Sequence, residues 1–267
     1  MASPSELPDA VFHLDGDRFV PTELARGPWS PDAQHGGPPA ALLGRAIERL
    51  SLPAGSPPSR VARVTVELLR SVPLAPLTVG TRVLRPGKKV QLVEAVVEAR
   101  GVEVVRAVAL RLRESHLDFA DDALGSDERP PEGGPVPRVR RDYPISSADA
   151  VDFRVVRGGL LEQVGPGTCW IRLRVPLVAG EQPSPLQRVL AAADFGNGIS
   201  SPLGWERYSF INPDLTVALH RPAQGEWIGL DATTWPDHDG IAVADTALFD
   251  ERGRIGRSIQ TLLLDKR

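Results

Sequence analysis

The segment Val64–Arg70 reads VTVELLR, and 151 positions later Leu215–Arg221 reads LTVALHR. Both alternate β-branched or aliphatic residues with polar ones, the period of a half-buried strand. The same offset carries Arg106-Ala107-Val108 onto Arg257-Ser258-Ile259. Two helix candidates stand at nearly that spacing, with Pro38 matching Pro185 once a gap of four residues is allowed between helix and strand. Two elements in register and a third nearby read as an internal duplication of one supersecondary unit.

Each copy opens with a helix. Ala40–Leu50 (AALLGRAIERL) sets Leu42, Leu43, Ala46, Ile47 and Leu50 on one face. Pro38 and Pro39 suit its first turn, where a missing N–H costs little. In the second copy Ser184 caps, Pro185 opens, and Leu186, Val189, Leu190 and Ala193 form the apolar stripe. Four strand candidates follow each helix. They are Ala62–Leu69, Leu77–Arg85, Lys89–Arg100 and Val102–Arg113, then Tyr208–His220, Trp227–Trp235, Ile241–Asp250 and Gly256–Asp265. A helix wrapped by a curved antiparallel sheet buries both apolar faces. The expected class is therefore α+β, as two tandem helix-and-sheet units at 1–115 and 148–267. The linker is 116–147, where DDALGSDERPPEGGPVPRVRRDYPISS is rich in breakers and poor in apolar periodicity.

Composition narrows the function. The formal net charge is −3, which argues against a nucleic-acid partner held by phosphate contacts. No 18-residue uncharged apolar run appears, so no membrane-spanning helix is expected. The N-terminus lacks a basic stretch followed by an apolar block, so a cytoplasmic location is expected rather than secretion. The single cysteine, Cys169, excludes an intramolecular disulfide and reads as a small buried hydrophobe. The five histidines form no HExxH or HxH pair, so no metal is expected. No GxGxxG, P-loop or GxSxG pattern occurs.

Candidate chemistry gathers in GPWSPDAQHGGPPAALL, Gly27–Leu43. Gly36 and Gly37 precede a helix start, whose amides have no partner inside the helix and carry positive partial charge. Such donors can hold an oxyanion in acyl transfer; the plain alternative is that the glycines only turn the chain. His35 either shapes that site or caps the turn, and Trp29 packs over a ligand or over the core. Asp214, at the start of the strand, suits a general base on water or an Asx turn. Gln260 stands mid-strand and needs partners if buried. Thr233 and Thr234 point to opposite faces. His220-Arg221 reads as an exposed pair, and Arg138, Arg140 and Arg141 as a solvated run.

The segment GPWSPDAQHGGPPAALL, followed by VTVELLRSVPLAPLTVGTRVLRPGKKVQLVEA, resembles the actinobacterial thioesterase-like family. These are double-hotdog acyl-CoA thioesterases related to the bacterial acyl-CoA thioesterase II type. The resemblance implies a hydrolase acting on acyl-CoA, without a cofactor. It implies that Asp214, six residues before the His220-Arg221-Pro222 motif, acts as base. Gln260 and Thr234 (or Thr233, depending on one gap) would orient the water. Gly36, Gly37 and His35 would form the oxyanion and substrate-binding site. Leu215 departs from the pattern, because relatives often carry His after the Asp. The alternative is a double-hotdog protein that binds acyl-CoA without turning it over. A further pairing of chains into a homo-oligomer is left open.

Overall fold

The computed structural model describes residues 7–51, 55–118, 145–159 and 163–267. Most of the expected linker lies outside the described residues, as do Arg138, Arg140 and Arg141.

Helix α1 spans Gly37–Arg49 with Pro38 and Pro39 in its first turn. Helix α2 spans Pro185–Ala193, and the Ser184 hydroxyl accepts from the Gln187 amide at 3.1 Å. The helices pack antiparallel. A Cβ on Gly37 would stand 2.7 Å from the Ala191 carbonyl, and at the other end the Ser184 hydroxyl donates to Glu48 at 2.5 Å. Contact with both α2 and the sheet buries more of α1 than one stripe: every residue from Gly37 to Arg45 is covered, and so is Ile47. Arg45 is among them because its guanidinium meets the Glu181 carboxylate with two bonds, of 2.7 and 2.6 Å.

The strands are β1 (Phe12–Asp15), β2 (Arg18–Pro21), β3 (Ser59–Leu68), β4 (Leu77–Arg85), β5 (Val90–Ala99), β6 (Val102–Arg113), β7 (Val151–Arg157), β8 (Gly167–Leu173), β9 (Tyr208–Ile211), β10 (Asp214–Leu219), β11 (Ile228–Pro236), β12 (Ile241–Asp250) and β13 (Gly253–Lys266). They form one sheet in the order β1-β2-β4-β5-β6-β3-β10-β13-β12-β11-β8-β7, with β9 beside β13. That order reads the same from either end once the two copies are matched, as a duplication joined edge to edge requires. The join is β3 against β10, the two segments that opened the sequence reading, with Val64 opposite Val217 and Thr65 opposite Thr216.

Two features differ from expectation. Each copy gains an outer hairpin ahead of its helix, β1-β2 or β7-β8, so neither copy opens with the helix as expected. The strand expected at Tyr208–His220 divides into β9 and β10 around Asn212-Pro213, where proline has no N–H for the ladder.

One apolar core serves both copies, with Leu42, Ile47, Val64, Leu190, Leu215 and Val217 in a single cluster. Side chains facing it form the inner side of the sheet. In β13 the inward residues are Ser258, Gln260 and Leu262, the last packing in a separate small cluster with Ala242 and Ala244, and they alternate with exposed Arg257, Ile259, Thr261 and Leu263.

Candidate active site

The site forms where the start of α1 meets the end of α2. Asp194 is the C-cap of α2 and only 3% exposed. Its Oδ1 accepts from Asn212 Nδ2 at 2.9 Å and from Gln260 Nε2 at 3.2 Å. Its Oδ2 lies 3.0 Å from His35 Nδ1. The Gly37 amide leans into the same pair, 3.2 Å from Nδ1.

Each partner is held from behind. His35 stacks on Phe195 with centroids 4.5 Å apart, and its own amide donates to the Ala25 carbonyl at 2.8 Å. Gln260 comes from the inner side of β13 and is 1% exposed. Its Oε1 accepts from the Asn197 amide at 3.0 Å, which fixes Nε2 toward Asp194. Asn197 belongs to the short helix α3, Gly196–Ile199. Gly196 has to be glycine, because a Cβ there would stand 2.6 Å from Thr246 Oγ1 and 3.0 Å from Gln260 Oε1. Gly36 is constrained similarly, since its Cβ would fall 2.8 Å from Asp194 Oδ2. Asn212 occupies the break between β9 and β10 and also donates to the Asp214 carbonyl at 3.3 Å.

Burial alone would push the Asp194 carboxyl upward. The charge and hydrogen bond of His35, with hydrogen bonds from Asn212 and Gly37, outweigh it and leave the group below the ordinary aspartate range. Asp194 is thus a carboxylate at neutral pH: desolvated, oriented by two amides and set beside an imidazole.

Of the residues expected from sequence, His35, Gly36, Gly37 and Gln260 converge on this carboxylate. Thr234 is one step removed. It points inward at 7% exposure, and its hydroxyl meets Ser200 Oγ at 2.7 Å while Ser200 donates to the Gly196 carbonyl at 2.8 Å. It therefore ties α3 to β11 and does not reach Asp194. Asp214 does not join the site. It alternates with the buried Leu215, so it projects from the outer side of the sheet, and its Oδ1 accepts from the Thr261 amide at 2.7 Å. Asp194 and Asn212 were not among the expected residues. The available signal was the end of the second helix, where Asp194 follows three alanines of an apolar stripe. An antiparallel helix pair brings that end to the glycines of α1.

Other candidates take structural places. Cys169 is buried, and desolvation pushes its thiol up to about 12. Trp29 packs against Trp205 and Phe210 at 4.7 and 5.8 Å. Arg221, read as exposed, instead grips the fully buried Asp250 with bonds of 2.5 and 2.8 Å. Among the described residues no group of three or more His, Cys, Asp or Glu could hold a metal ion, and no helix is long and apolar enough to cross a membrane.

Residues 25–112 match the model of the acyl-CoA thioesterase N-terminal domain, and residues 110–264 match that of the acyl-CoA thioesterase C-terminal domain. The chain belongs to the acyl-CoA thioesterase family, whose members are thioester hydrolases, and its fold is a double hotdog. Among solved structures, a hotdog-fold protein from Alicyclobacillus acidocaldarius superposes with a TM-score of 0.69 at 16% identity, over 96% of this chain and 97% of the other. A protein assigned as a thioesterase II from Thermobifida fusca gives 0.68 at 17%, over 96% of both chains. The acyl-CoA thioesterase II TesB2 of Mycobacterium marinum gives 0.65 at 15%, over 96% and 94%. No curated protein matches the sequence significantly.

Proposed function

We propose that the chain hydrolyses the thioester of an acyl-CoA, with Asp194 rather than Asp214 as the general base. The observation that carries this reading is the buried Asp194 carboxylate, kept ionised beside the glycine mouth of α1 by His35, Asn212 and the Gly37 amide, with Gln260 also in hydrogen-bond contact. A carboxylate that is desolvated but held charged is ready to take a proton from water without first shedding a hydration shell.

In this mechanism a water on a free lone pair of Asp194 attacks the thioester carbon and passes its proton to the carboxylate. Negative charge builds on the carbonyl oxygen. Pro38 and Pro39 have no N–H, and the Gly37 amide is turned to the His35–Asp194 pair. We therefore assign the Gly36 N–H to the oxyanion; it makes no hydrogen bond among the described residues. Collapse of the intermediate breaks the C–S bond, and the proton on Asp194 moves to the departing sulfur. The products are a carboxylic acid and coenzyme A, and the base is regenerated. Gln260 and Asn212 hold the carboxylate in place through the cycle, and His35 keeps it charged between turnovers.

Thiol release from short, medium and long acyl-CoAs, followed with a thiol-trapping dye, tests the proposal. Turnover of at least one chain-length class is expected. Saturable binding of all of them with no thiol released would replace it with an acyl-CoA-binding role.

A further inference from the structure

Near the seam between the two copies, the outer side of the sheet holds a hollow of about 450 Å³. That is the size of a small-molecule pocket. Ala62 of β3, Ala218 of β10 and Gly256 of β13 form its floor, and their side chains are too short to fill it. His220, Arg254 and Arg257 wall it. Arg63 and Arg257 both stand opposite Ala218, one on each neighbouring strand, so their Cβ atoms lie roughly 5 Å from it. The Arg60 guanidinium closes the far side by donating to the His220 carbonyl at 2.9 Å.

The charges around the hollow do not cancel. Arg257 is matched by Asp245 at 3.0 Å, and Arg221 is taken up by Asp250. Arg63 and Arg254 have no ion pair among the described residues, and Arg60 meets an uncharged carbonyl. Burial pushes the His220 imidazole below its ordinary value, and the charges of Arg221, Arg254 and Arg60 push it further, against the weaker pull of Asp250. The matching place in the first copy is built from larger and oppositely charged residues. With the offset of 151, Ala218, His220, Arg254 and Gly256 correspond to Glu67, Leu69, Glu103 and Val105. Glu103 there pairs with Arg106 at 2.6 Å. One copy thus fills and neutralises the position that the other hollows out and leaves cationic.

We propose that this hollow binds the diphosphate group of a small molecule, on the side of the sheet away from Asp194. Arg60, Arg63 and Arg254 together exceed the charge of a single phosphate monoester, about −1.5 to −2 at neutral pH, and suit two linked phosphoryl groups. Guanidinium forks meet phosphate oxygens in pairs, which gives orientation as well as attraction. Gln260 faces the opposite side of the sheet and lies four residues beyond Gly256, roughly 13 Å along β13 at ~3.3 Å per residue. The diphosphate is therefore held apart from the reacting thioester, and the assignment stands whether or not Asp194 is the base.

Isothermal titration of the intact chain with inorganic pyrophosphate in 150 mM NaCl tests the proposal. One saturable site is expected, and sulfate should bind at least tenfold more weakly. Arg254→Ala and Arg63→Ala should each raise the pyrophosphate dissociation constant at least tenfold with unchanged circular dichroism. Ala218→Glu, which installs the residue of the first copy, should abolish binding. A nucleoside diphosphate and coenzyme A both carry the group, so ADP and coenzyme A are added as competitors. Displacement of pyrophosphate by either supports the site and identifies which source it accepts. Absence of saturable binding at millimolar pyrophosphate, equal binding of sulfate, unchanged affinity in the folded variants, or displacement by neither competitor overturns it.

Discussion

Thr65 and Thr216 face each other across the central strand pair with their hydroxyl oxygens 3.3 Å apart, and they are 151 residues apart in the chain. They are the same position in the two copies, so the pseudo-twofold axis of the molecule passes between them. Symmetry about that axis would give two sites. It does not, because the residues matching Asp194, Asn212 and Gln260 in the first copy are Ile47, Val61 and Ala109. Ile47 and Ala109 are fully buried in the core, so only one end of the helix pair is polar enough for chemistry.

Exchanging the two candidate carboxylates separates the mechanisms. Asp194→Asn should lower kcat by about 10³-fold or more, within the range for loss of a general base. Asp214→Asn should leave kcat within a factor of about two, because its carboxylate only receives the Thr261 amide on the outer side of the sheet. Steady-state thiol release from one acyl-CoA substrate measures both.

The amides beside Asp194 should control the acid limb of the pH–rate profile. In the wild-type protein the group titrates below the ordinary aspartate value of 3.8. Activity should therefore hold as pH falls through 6 and 5 and fail only as Asp194 takes up a proton below that value. Asn212→Ala or Gln260→Ala removes a hydrogen bond to the charged form while burial remains, so the acid limb should move upward. A profile of kcat/KM from pH 3 to 8, on protein shown by circular dichroism to stay folded at the acid end, reads the shift, and an unmoved limb would show that the amides do not tune this carboxylate.

Gly37 is a matter of space. A Cβ at this position meets the backbone carbonyl of Ala191 at 2.7 Å, and a backbone cannot swing aside as a side-chain end can. Gly37→Ala should lower stability by about 1–3 kcal/mol through overpacking and spread α1 from α2. Thermal unfolding followed by circular dichroism measures the loss. Gly44→Ala is the control, because its Cβ meets only the movable end of Leu190 and should cost less.

Asp250 should dominate the acid stability of the second copy. Arg221 and the amides of Gln224 and Arg252 surround it, and despite burial they hold its pKa below the ordinary value. A depressed aspartate stabilises the fold above its unfolded pKa and loses that contribution as pH falls through its folded pKa. Asp250→Ala should cost about 3 kcal/mol or more near pH 7, where it leaves Arg221 without its buried partner. The difference from wild type in urea midpoints should shrink below pH 4.

Much of the site could be read from the chain because it depends on local rules. The paired glycines at 36 and 37 marked the start of a helix, and Gln260 stood out as a mid-strand amide that needs partners if buried. Asp214 misled because a carboxylate at a strand start looks the same whichever side it faces. A one-residue shift between Asp214 and Leu215 decides between core and solvent. The break at Pro213 resets the alternation just before that point. Asp194 was hard to see because its importance comes from a neighbour 159 residues away, the imidazole of His35.

From its sequence alone the chain determined that it is duplicated, that each copy wraps strands around a helix, and that two glycines lead into the first of those helices. Periodicity and repeat spacing are properties of the chain itself and survive without coordinates. Which carboxylate meets that helix was decided only in three dimensions, by the antiparallel crossing of α1 and α2 and the side of the sheet each residue takes. A charge becomes useful within hydrogen-bonding distance of its partners, and nothing in linear order sets that distance.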